Sequence, residues 1–237
     1  MKRGILVVFG CICFSTVAFA QSNADALAKS GLVKDSLQNY KGAISDFSEA
    51  IKTDPANADY YYYRGNAYFD AGDYTNSVND FTKAIALDSN YLDAYYNRGN
   101  AWYELKNYAA AITDFNKVLK YDDNNYDAYY NRGNAQFSLG KYDLAKADFD
   151  KTVALKADNY AAYYDRGNTL FKIGDYVTAI KDYEKAISLN PKAYQPYFNK
   201  AICEFNLTLN DQGCSDLNKA QDLGDPDAGT YMKQLCY

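Results

Sequence analysis

Histidine is absent from this chain of 237 residues, and its absence argues against several classes of function. Histidine is the commonest general base in enzymes, the commonest metal ligand and the side chain that titrates nearest to neutral pH. The sequence also shows no activated nucleophile, no cluster of metal ligands and no phosphate-binding loop. We therefore expect a protein that is not an enzyme, with no catalytic residues, no metal site and no cofactor.

Positive charge is in short supply as well. The chain has 25 lysine and arginine residues against 30 aspartate and glutamate residues, which gives a formal net charge of −5. An acidic surface repels both the phosphate backbone of nucleic acids and anionic lipid headgroups. Nucleic acid and anionic membranes are therefore unfavourable partners.

Long apolar runs occur only in the first twenty residues. Lys2 and Arg3 precede an apolar stretch, Ile5–Ala20, that ends in the Ala-Phe-Ala of 18–20. A charged start, a short apolar segment and a small-x-small ending are typical of a secretory signal peptide, here 1–20. The stretch is short for a membrane span, and no later segment is apolar for long enough. We expect an exported protein, periplasmic or extracellular, without an inserted helix.

A weaker alternative is lipidation at Cys11. The sequence Val-Phe-Gly-Cys at 8–11 loosely resembles a lipoprotein box. Phe9 fits that motif poorly, however, and the apolar run continues beyond Cys11.

The most informative feature that is present is a repeat of 34 residues. Tyr-Tyr-Asn-Arg-Gly-Asn occurs at 95–100 and at 129–134, and close copies occur at 61–66 and 163–168. Glycine stands at the eighth position of five repeats, and Ala201 stands there in the sixth. Large residues elsewhere in each repeat would fill the space between two closely packed helices, and stacked repeats would bury a continuous core. The register defines six repeats: 24–57, 58–91, 92–125, 126–159, 160–193 and 194–227.

The repeat resembles the tetratricopeptide repeat (TPR), as found in exported bacterial proteins, over nearly the whole chain after residue 20. The resemblance implies an all-α fold, a right-handed superhelical solenoid of six helix-turn-helix repeats. Only Pro55 and Pro191 match the proline that closes the family's repeat. The remaining segment, 228–237, has apolar residues at helical spacing, and we expect it to form a capping helix. Asp225 and Pro226 would be its N-cap and first turn.

Arginine and aspartate recur at fixed positions of the repeat. Arginine occupies the seventh position in four repeats, and aspartate occupies the twenty-third position in all six. A guanidinium group can bind a carboxylate through two parallel hydrogen bonds. We expect structural ion pairs between the two helices of a repeat, not a binding site.

In the TPR fold, positions two, five, six, nine, twelve and thirteen of each repeat face a concave groove. The resemblance therefore places asparagine, tyrosine and aspartate side chains there. A carboxamide both donates and accepts hydrogen bonds, so the asparagines could bind the main chain of an extended peptide. The alternative is that they bond only to neighbours or to water. The predicted groove residues are Asn66, Asn97, Asn100, Asn131, Asn134 and Asn168; Tyr62, Tyr96, Tyr130 and Tyr164; and Asp59, Asp93 and Asp127.

The groove residues also predict the kind of ligand. Family members that grip a C-terminal carboxylate use basic groove residues, which are missing here at positions two and five. We therefore expect a scaffold that binds a partner segment with basic and apolar side chains, through charge attraction and cation–π contacts. The alternative function is a glycan-binding or cell-envelope-binding protein that uses the same aromatic groove. The oligomeric state is left open.

Three cysteines follow the predicted signal peptide. Export permits disulfides, and exported bacterial TPR proteins that this chain resembles often end in a cysteine pair. The resemblance implies a Cys214–Cys236 disulfide that holds the capping helix, with Cys203 as a buried free thiol. The cysteine spacing fits neither a zinc site nor a redox C-x-x-C motif.

Overall fold

The computed structural model describes the backbone from residue 11 to residue 237 and the side chains from residue 21. The predicted signal peptide, 1–20, thus lies partly outside the described residues and stays a prediction. The first helix runs without interruption past the predicted cleavage point.

The described residues form thirteen α-helices and no β-strand, and consecutive helices pack as antiparallel pairs. This confirms the predicted all-α repeat fold. The helices are α1 (Cys11–Ser36), α2 (Tyr40–Thr53), α3 (Ala58–Asp70), α4 (Tyr74–Leu87), α5 (Leu92–Glu104), α6 (Tyr108–Tyr121), α7 (Tyr126–Ser138), α8 (Tyr142–Leu155), α9 (Tyr160–Ile173), α10 (Tyr176–Leu189), α11 (Gln195–Asn206), α12 (Asn210–Asp222) and α13 (Ala228–Leu235). None of these helices is both long enough and apolar enough to cross a membrane.

The chain divides at Ala110 into two compact units, and α6 spans the division. In the N-terminal unit, α1 to α5 pack in sequence, each against the next. In the C-terminal unit, α7 to α13 do the same. In both units the first helices of neighbouring repeats also touch, as α3 and α5 do.

The turn inside each helix pair has a left-handed residue at position fifteen of the repeat. Glycine stands there in three repeats, for example Gly72 with φ 79°. Gln38, Lys106 and Thr208 adopt φ values of 60°, 59° and 61° at the same position in the other three repeats. Only glycine enters this region without a steric penalty. Three of the six turns are therefore strained by their side chains.

Close approach of the two helices explains the glycine at position eight. A Cβ atom on Gly65 would lie 2.8 Å from the ring of Phe81, and one on Gly167 would lie 2.7 Å from the ring of Tyr183. The aromatic residue at position twenty-four is almost fully buried in both repeats. The glycine and the aromatic ring thus form one packing unit, repeated along the chain.

The predicted arginine–aspartate pairs are confirmed. Nε and Nη2 of Arg132 donate to the two carboxylate oxygens of Asp148, at 2.7 and 2.6 Å. The same paired geometry joins Arg64 to Asp80 and Arg166 to Asp182.

A third bond from each arginine was not predicted. Nη1 reaches back to position twenty-five of the preceding repeat, as in the bond of 2.6 Å from Arg132 to Asn116 Oδ1. Equivalent bonds link Arg64 to Ser48, Arg98 to Thr82 and Arg166 to Asp150. The arginine therefore joins neighbouring repeats as well as the helices of its own.

The segment after the sixth repeat forms α13, which packs on α12 and buries Ala228 and Met232. The helix begins later than predicted: its N-cap is Asp227, so the expectation that Asp225 is the N-cap and Pro226 the first turn was wrong. Asp225 Oδ1 instead accepts bonds from the amides of Asp227 and Ala228, both at 2.8 Å. This is an Asx turn that precedes the helix.

The predicted disulfide is present. Cys214 of α12 is joined to Cys236 at the end of α13, with 5.7 Å between their Cα atoms. Cys203 is buried and free. Burial raises the pKa of the Cys203 thiol to about 12.

Candidate functional site

The first helices of the repeats carry all the predicted groove residues. We call the surface formed by positions two, five, six, nine, twelve and thirteen the first-helix face. It lies on α1, α3 and α5 in the N-terminal unit and on α7, α9 and α11 in the C-terminal unit. The predicted asparagines and tyrosines are half-buried, and Asp59, Asp93 and Asp127 are exposed. A ligand could therefore touch every residue type in the predicted set.

Hydrogen bonds between neighbouring repeats hold several of these amides in place. In the N-terminal unit, Asn97 Nδ2 donates to Tyr62 Oη at 3.1 Å and to Asn66 Oδ1 at 2.9 Å. Position six of one repeat thus bonds to positions five and nine of the repeat before it. Asn199 makes the same pair of bonds in the C-terminal unit, to Tyr164 at 3.1 Å and to Asn168 at 2.8 Å.

This arrangement combines the two roles that the sequence left open for the asparagines. The bonds use the nitrogen of Asn97 and the oxygen of Asn66, so part of each amide serves its neighbour. The oxygen of Asn97 takes no part in these bonds. Because a carboxamide oxygen has two lone pairs, the Asn97 oxygen can accept bonds from a ligand main chain while the Tyr62 ring and the Asn97 amide stay in position.

An aspartate, Asp165, replaces the position-six asparagine in the fifth repeat. It accepts a hydrogen bond of 2.6 Å from Tyr130 Oη. Burial raises the pKa of Asp165, and the bond from Tyr130 opposes that effect. Tyr130 is therefore held by a carboxylate where Tyr62 and Tyr164 are held by amides.

The aromatic residues of the first-helix face also pack against their own repeats. Tyr62 stacks on Tyr91 with ring centres 4.9 Å apart, and Tyr91 Oη donates to Asp59 at 2.8 Å. At position twelve, Phe69 and Phe171 meet the turn tyrosines Tyr74 and Tyr176 at steep angles, 5.2 and 5.5 Å between centres. These rings are half-buried, so one side packs and the other remains accessible.

The N-terminal unit contains an acidic cavity of about 310 Å³ on this face. Asp35 and Asp70 supply its carboxylates, and Phe69 and three asparagines complete its lining. Asp35 Oδ1 is buried and accepts no hydrogen bond. Burial and, secondly, the charge of Asp70 raise the pKa of Asp35. A carboxylate in this setting lacks a positive partner.

The sequence prediction missed Asp35 and Asp70. They occupy position twelve of the first repeat and position thirteen of the second, both of which face the groove in the TPR fold. Asp35 also interrupts position twelve, which is aromatic in all five of the following repeats. A comparison of these two positions across all repeats would have identified both residues.

The C-terminal unit contains an aromatic cavity of about 400 Å³. Its walls come from first-helix positions of three repeats, from Tyr183 on the second helix α10 and from Tyr231 of the capping helix. The lining also includes Phe137, Phe171, Phe198, Ile202 and Lys172, with the amides of Asn168 and Asn199 beside them. Sequence reasoning placed Tyr231 in the cap but not in a binding surface.

No group of three or more acidic or cysteine side chains in the described part of the chain is arranged to hold a metal ion. The features that remain are hydrogen-bonding amides, aromatic rings and two cavities of different polarity. These features suit recognition of a ligand surface.

Comparison with known protein families identifies the repeat. A TPR repeat family matches residues 31–72, 65–106 and 99–140, and the tetratricopeptide repeat family matches 126–159 and 160–193. The chain belongs to the tetratricopeptide repeat family. TPR folds typically mediate protein–protein interactions and are generally non-enzymatic scaffolds. No curated protein matches the chain by sequence.

Solved structures of TPR proteins resemble this one in fold. YrrB, described as a TPR protein with an unusual peptide-binding site, is 23% identical, with a TM-score of 0.71, over 80% of this chain and 98% of its own. PilF of Pseudomonas aeruginosa is 19% identical, with a TM-score of 0.73, over 91% and 99%. MamA of Desulfovibrio magneticus is 22% identical, with a TM-score of 0.68, over 70% and 94%. At these identities the likeness concerns the fold alone.

Proposed function

We propose that this TPR protein is a non-enzymatic scaffold that holds an extended peptide segment of a partner protein in the groove lined by its first helices. The observation that carries the proposal is the repeated pairing of Asn97 with Tyr62 and Asn66, and of Asn199 with Tyr164 and Asn168. Amides that are already held in place lose little conformational entropy when they bind a ligand. Their spacing follows the repeat, which suits a ligand whose own polar groups repeat along its main chain.

The acidic cavity supports a basic side chain in that segment. A lysine or arginine side chain of the ligand would place its charge between Asp35 and Asp70. It would supply the hydrogen bond that Asp35 Oδ1 lacks and reduce the repulsion between the two carboxylates. The aliphatic stem of the same side chain could lie against Phe69.

We also propose that the protein acts after export, in the periplasm or outside the cell. The N-terminal pattern of a signal peptide and the Cys214–Cys236 disulfide support this, because structural disulfides persist in oxidising compartments.

Peptide selection followed by titration tests the proposal. A library of random twelve-residue peptides with both ends blocked would be screened for binding to the protein (residues 21–237). The dissociation constants of the selected peptides would then be measured by fluorescence anisotropy. Replacing Asn100 and Asn134 with alanine should weaken binding about tenfold or more, since each hydrogen bond contributes roughly 1 kcal/mol. The melting temperature should fall by no more than about 2 °C.

The matched control is Asn218→Ala, an exposed asparagine on a second helix. It should leave the affinity unchanged. If the selected peptides bind the wild type and the Asn100/Asn134 variant equally, the first-helix face is not their site. Equal losses of melting temperature and affinity would show instead that the two asparagines are structural.

The expected preference for a basic side chain in the peptide is tested with a second pair of substitutions. Asp35→Asn and Asp70→Asn together should weaken the binding of a selected peptide that contains lysine. They should not weaken the binding of the same peptide with its lysine replaced by glutamine. Equal weakening of both peptides would contradict the assignment of the acidic cavity to a basic side chain.

A further inference from the structure

We propose that the aromatic cavity is an anchor site that takes one bulky apolar side chain, preferably an aromatic one, from the bound segment. The proposal rests on the proposed peptide binding for its biological ligand, but the cavity can be tested with a probe of its own. It assigns to the sixth repeat and the capping helix a role separate from that of the acidic cavity.

The shape of the cavity fits such a side chain. Its volume of about 400 Å³ lies at the small end of the range of protein ligand sites, and it is lined mainly by rings. Phe198 and Tyr231 meet edge to face with centres 5.1 Å apart and form one corner. Phe137 and Phe171, both half-buried, contribute further apolar surface. An aromatic ring can stack on or meet such rings edge-on while it removes them from water.

The polar groups beside the cavity argue against a charged basic occupant. Asn168 Oδ1 accepts bonds from Tyr183 Oη at 2.9 Å and from Asn199 Nδ2 at 2.8 Å, which uses both of its lone pairs. Asn199 Nδ2 also donates to Tyr164, so Asn199 Oδ1 is the amide oxygen left to accept a bond, and the lining of the cavity includes no carboxylate that would balance a positive charge. The remaining charge at the cavity is positive, on the exposed Lys172, and it repels a cation. A neutral apolar side chain meets neither obstacle.

The capping helix completes the cavity, and the disulfide holds the capping helix. Tyr231 comes from α13, which has only eight residues and would be marginal by itself. Buried Ala228 and Met232 fasten the start and middle of α13, and the bond from Cys236 to Cys214 fastens its end. We therefore assign the disulfide a positioning role: it keeps the ring of Tyr231 against Phe198.

The test uses N-acetyl-tryptophanamide as a neutral probe, with binding to the oxidised protein (residues 21–237) measured by NMR titration. We expect saturable binding. Tyr231→Ala should weaken it about fivefold to tenfold, the loss of one aromatic contact and its buried area. Ile202→Phe should also weaken binding of the probe, because the larger side chain fills part of the cavity and leaves its other walls in place. The matched control, Tyr237→Ala, removes a fully accessible tyrosine from the same end of the chain and should have no effect.

Replacement of both Cys214 and Cys236 by serine tests the positioning role. The affinity for the probe should fall by a factor similar to that of Tyr231→Ala, while probe binding to a Tyr231→Ala protein should lose little more when the serines are added. If the two serine substitutions weaken probe binding by the same factor in the wild type and in the Tyr231→Ala protein, the disulfide does not act through Tyr231, and the role assigned to it is wrong.

Three results would overturn the anchor site. They are no saturable binding of the probe, binding that Tyr231→Ala and Ile202→Phe leave unchanged, and preferential binding of cellobiose with the same variant pattern, which would make the cavity a sugar site. None of them decides the peptide proposal, because the selected peptides and the Asn100/Asn134 variant give a separate readout. Loss of peptide binding with retained probe binding would refute the proposed function and leave the cavity as an apolar ligand site.

Discussion

The buried carboxyl group of Glu204 should make the stability of the sixth repeat depend on pH. Glu204 is only 3% exposed, and its Oε2 is buried without a hydrogen-bond partner. Burial, then the negative charge of Asp216, raise its pKa to about 7, while Lys200, 3.4 Å from Oε1, opposes the rise. Glu184 also faces Lys200, at 3.6 Å. Glu204 thus lies in a crowded acidic cluster around one lysine.

A raised folded-state pKa means that the folded protein binds the proton more tightly than the unfolded chain, whose Glu204 titrates near 4.5. Folding is therefore favoured at low pH, and this contribution is lost as the pH rises from 4.5 through 7. Between pH 6 and pH 8 the free energy of opening the sixth repeat should fall by about 1.4 kcal/mol, a tenfold change in the opening equilibrium.

Cys203, buried next to Glu204, reports this opening because its thiol reacts only when the repeat opens. The rate of alkylation relative to an unfolded peptide gives a protection factor that already corrects for thiol ionisation. We expect the factor to be about tenfold larger at pH 6 than at pH 8 in the wild type. Glu204→Gln should raise it at pH 8 and remove the pH dependence.

Glu184→Gln, which changes a more exposed carboxylate beside the same lysine, is the control and should retain the pH dependence. If Glu204→Gln shows the same tenfold change as the wild type, the reasoning about Glu204 is wrong.

Three further predictions concern the fold. Lys106→Gly should stabilise the protein by about 0.5–1 kcal/mol in urea denaturation, because it relieves a left-handed turn residue, and Gly140→Ala should have the opposite effect. Arg132→Ala should destabilise by about 3 kcal/mol in the same assay, since it leaves Asp148 buried without its pair, whereas loss of the exposed Lys156–Asp158 pair should cost below about 0.5 kcal/mol. Denatured but unreduced protein (residues 21–237) should show one free thiol in a thiol titration; three would contradict the disulfide.

The helix pairs were predictable because their determinants are local and recur every 34 residues. Gly65 and Phe81 belong to one repeat, and so do Arg132 and Asp148, and each pair meets within a single helix hairpin. The glycine recurs in five repeats and the arginine in four, so such pairings are visible without any structure. The cysteine pairing followed from the family resemblance.

Contacts between repeats were harder to predict. The bond from Arg132 to Asn116 depends on a position whose residue changes from repeat to repeat, although each one offers an oxygen acceptor. The pairing of Asn97 with Tyr62 depends on how one first helix rotates against the next, and sequence periodicity does not specify that rotation to within a hydrogen-bond length.

The two cavities went unrecognised because residues from several repeats form them. Asp35 and Asp70 come from different repeats, and Tyr231 lies outside the repeats altogether. Left-handed turn residues were obscured for another reason: glycine marks the position in only three of the six turns.

The most direct test of the central claim is site-specific photo-crosslinking in the native envelope and secreted fractions. The photoreactive residue p-benzoylphenylalanine would replace Asp59 or Asp93, exposed on first helices of the N-terminal unit, or Lys151, exposed on a second helix. We expect mass spectrometry to find one partner segment, with basic and apolar residues, attached at positions 59 and 93 and not at position 151. Attachment of the partner only at position 151 would contradict the proposal that the first helices hold the peptide.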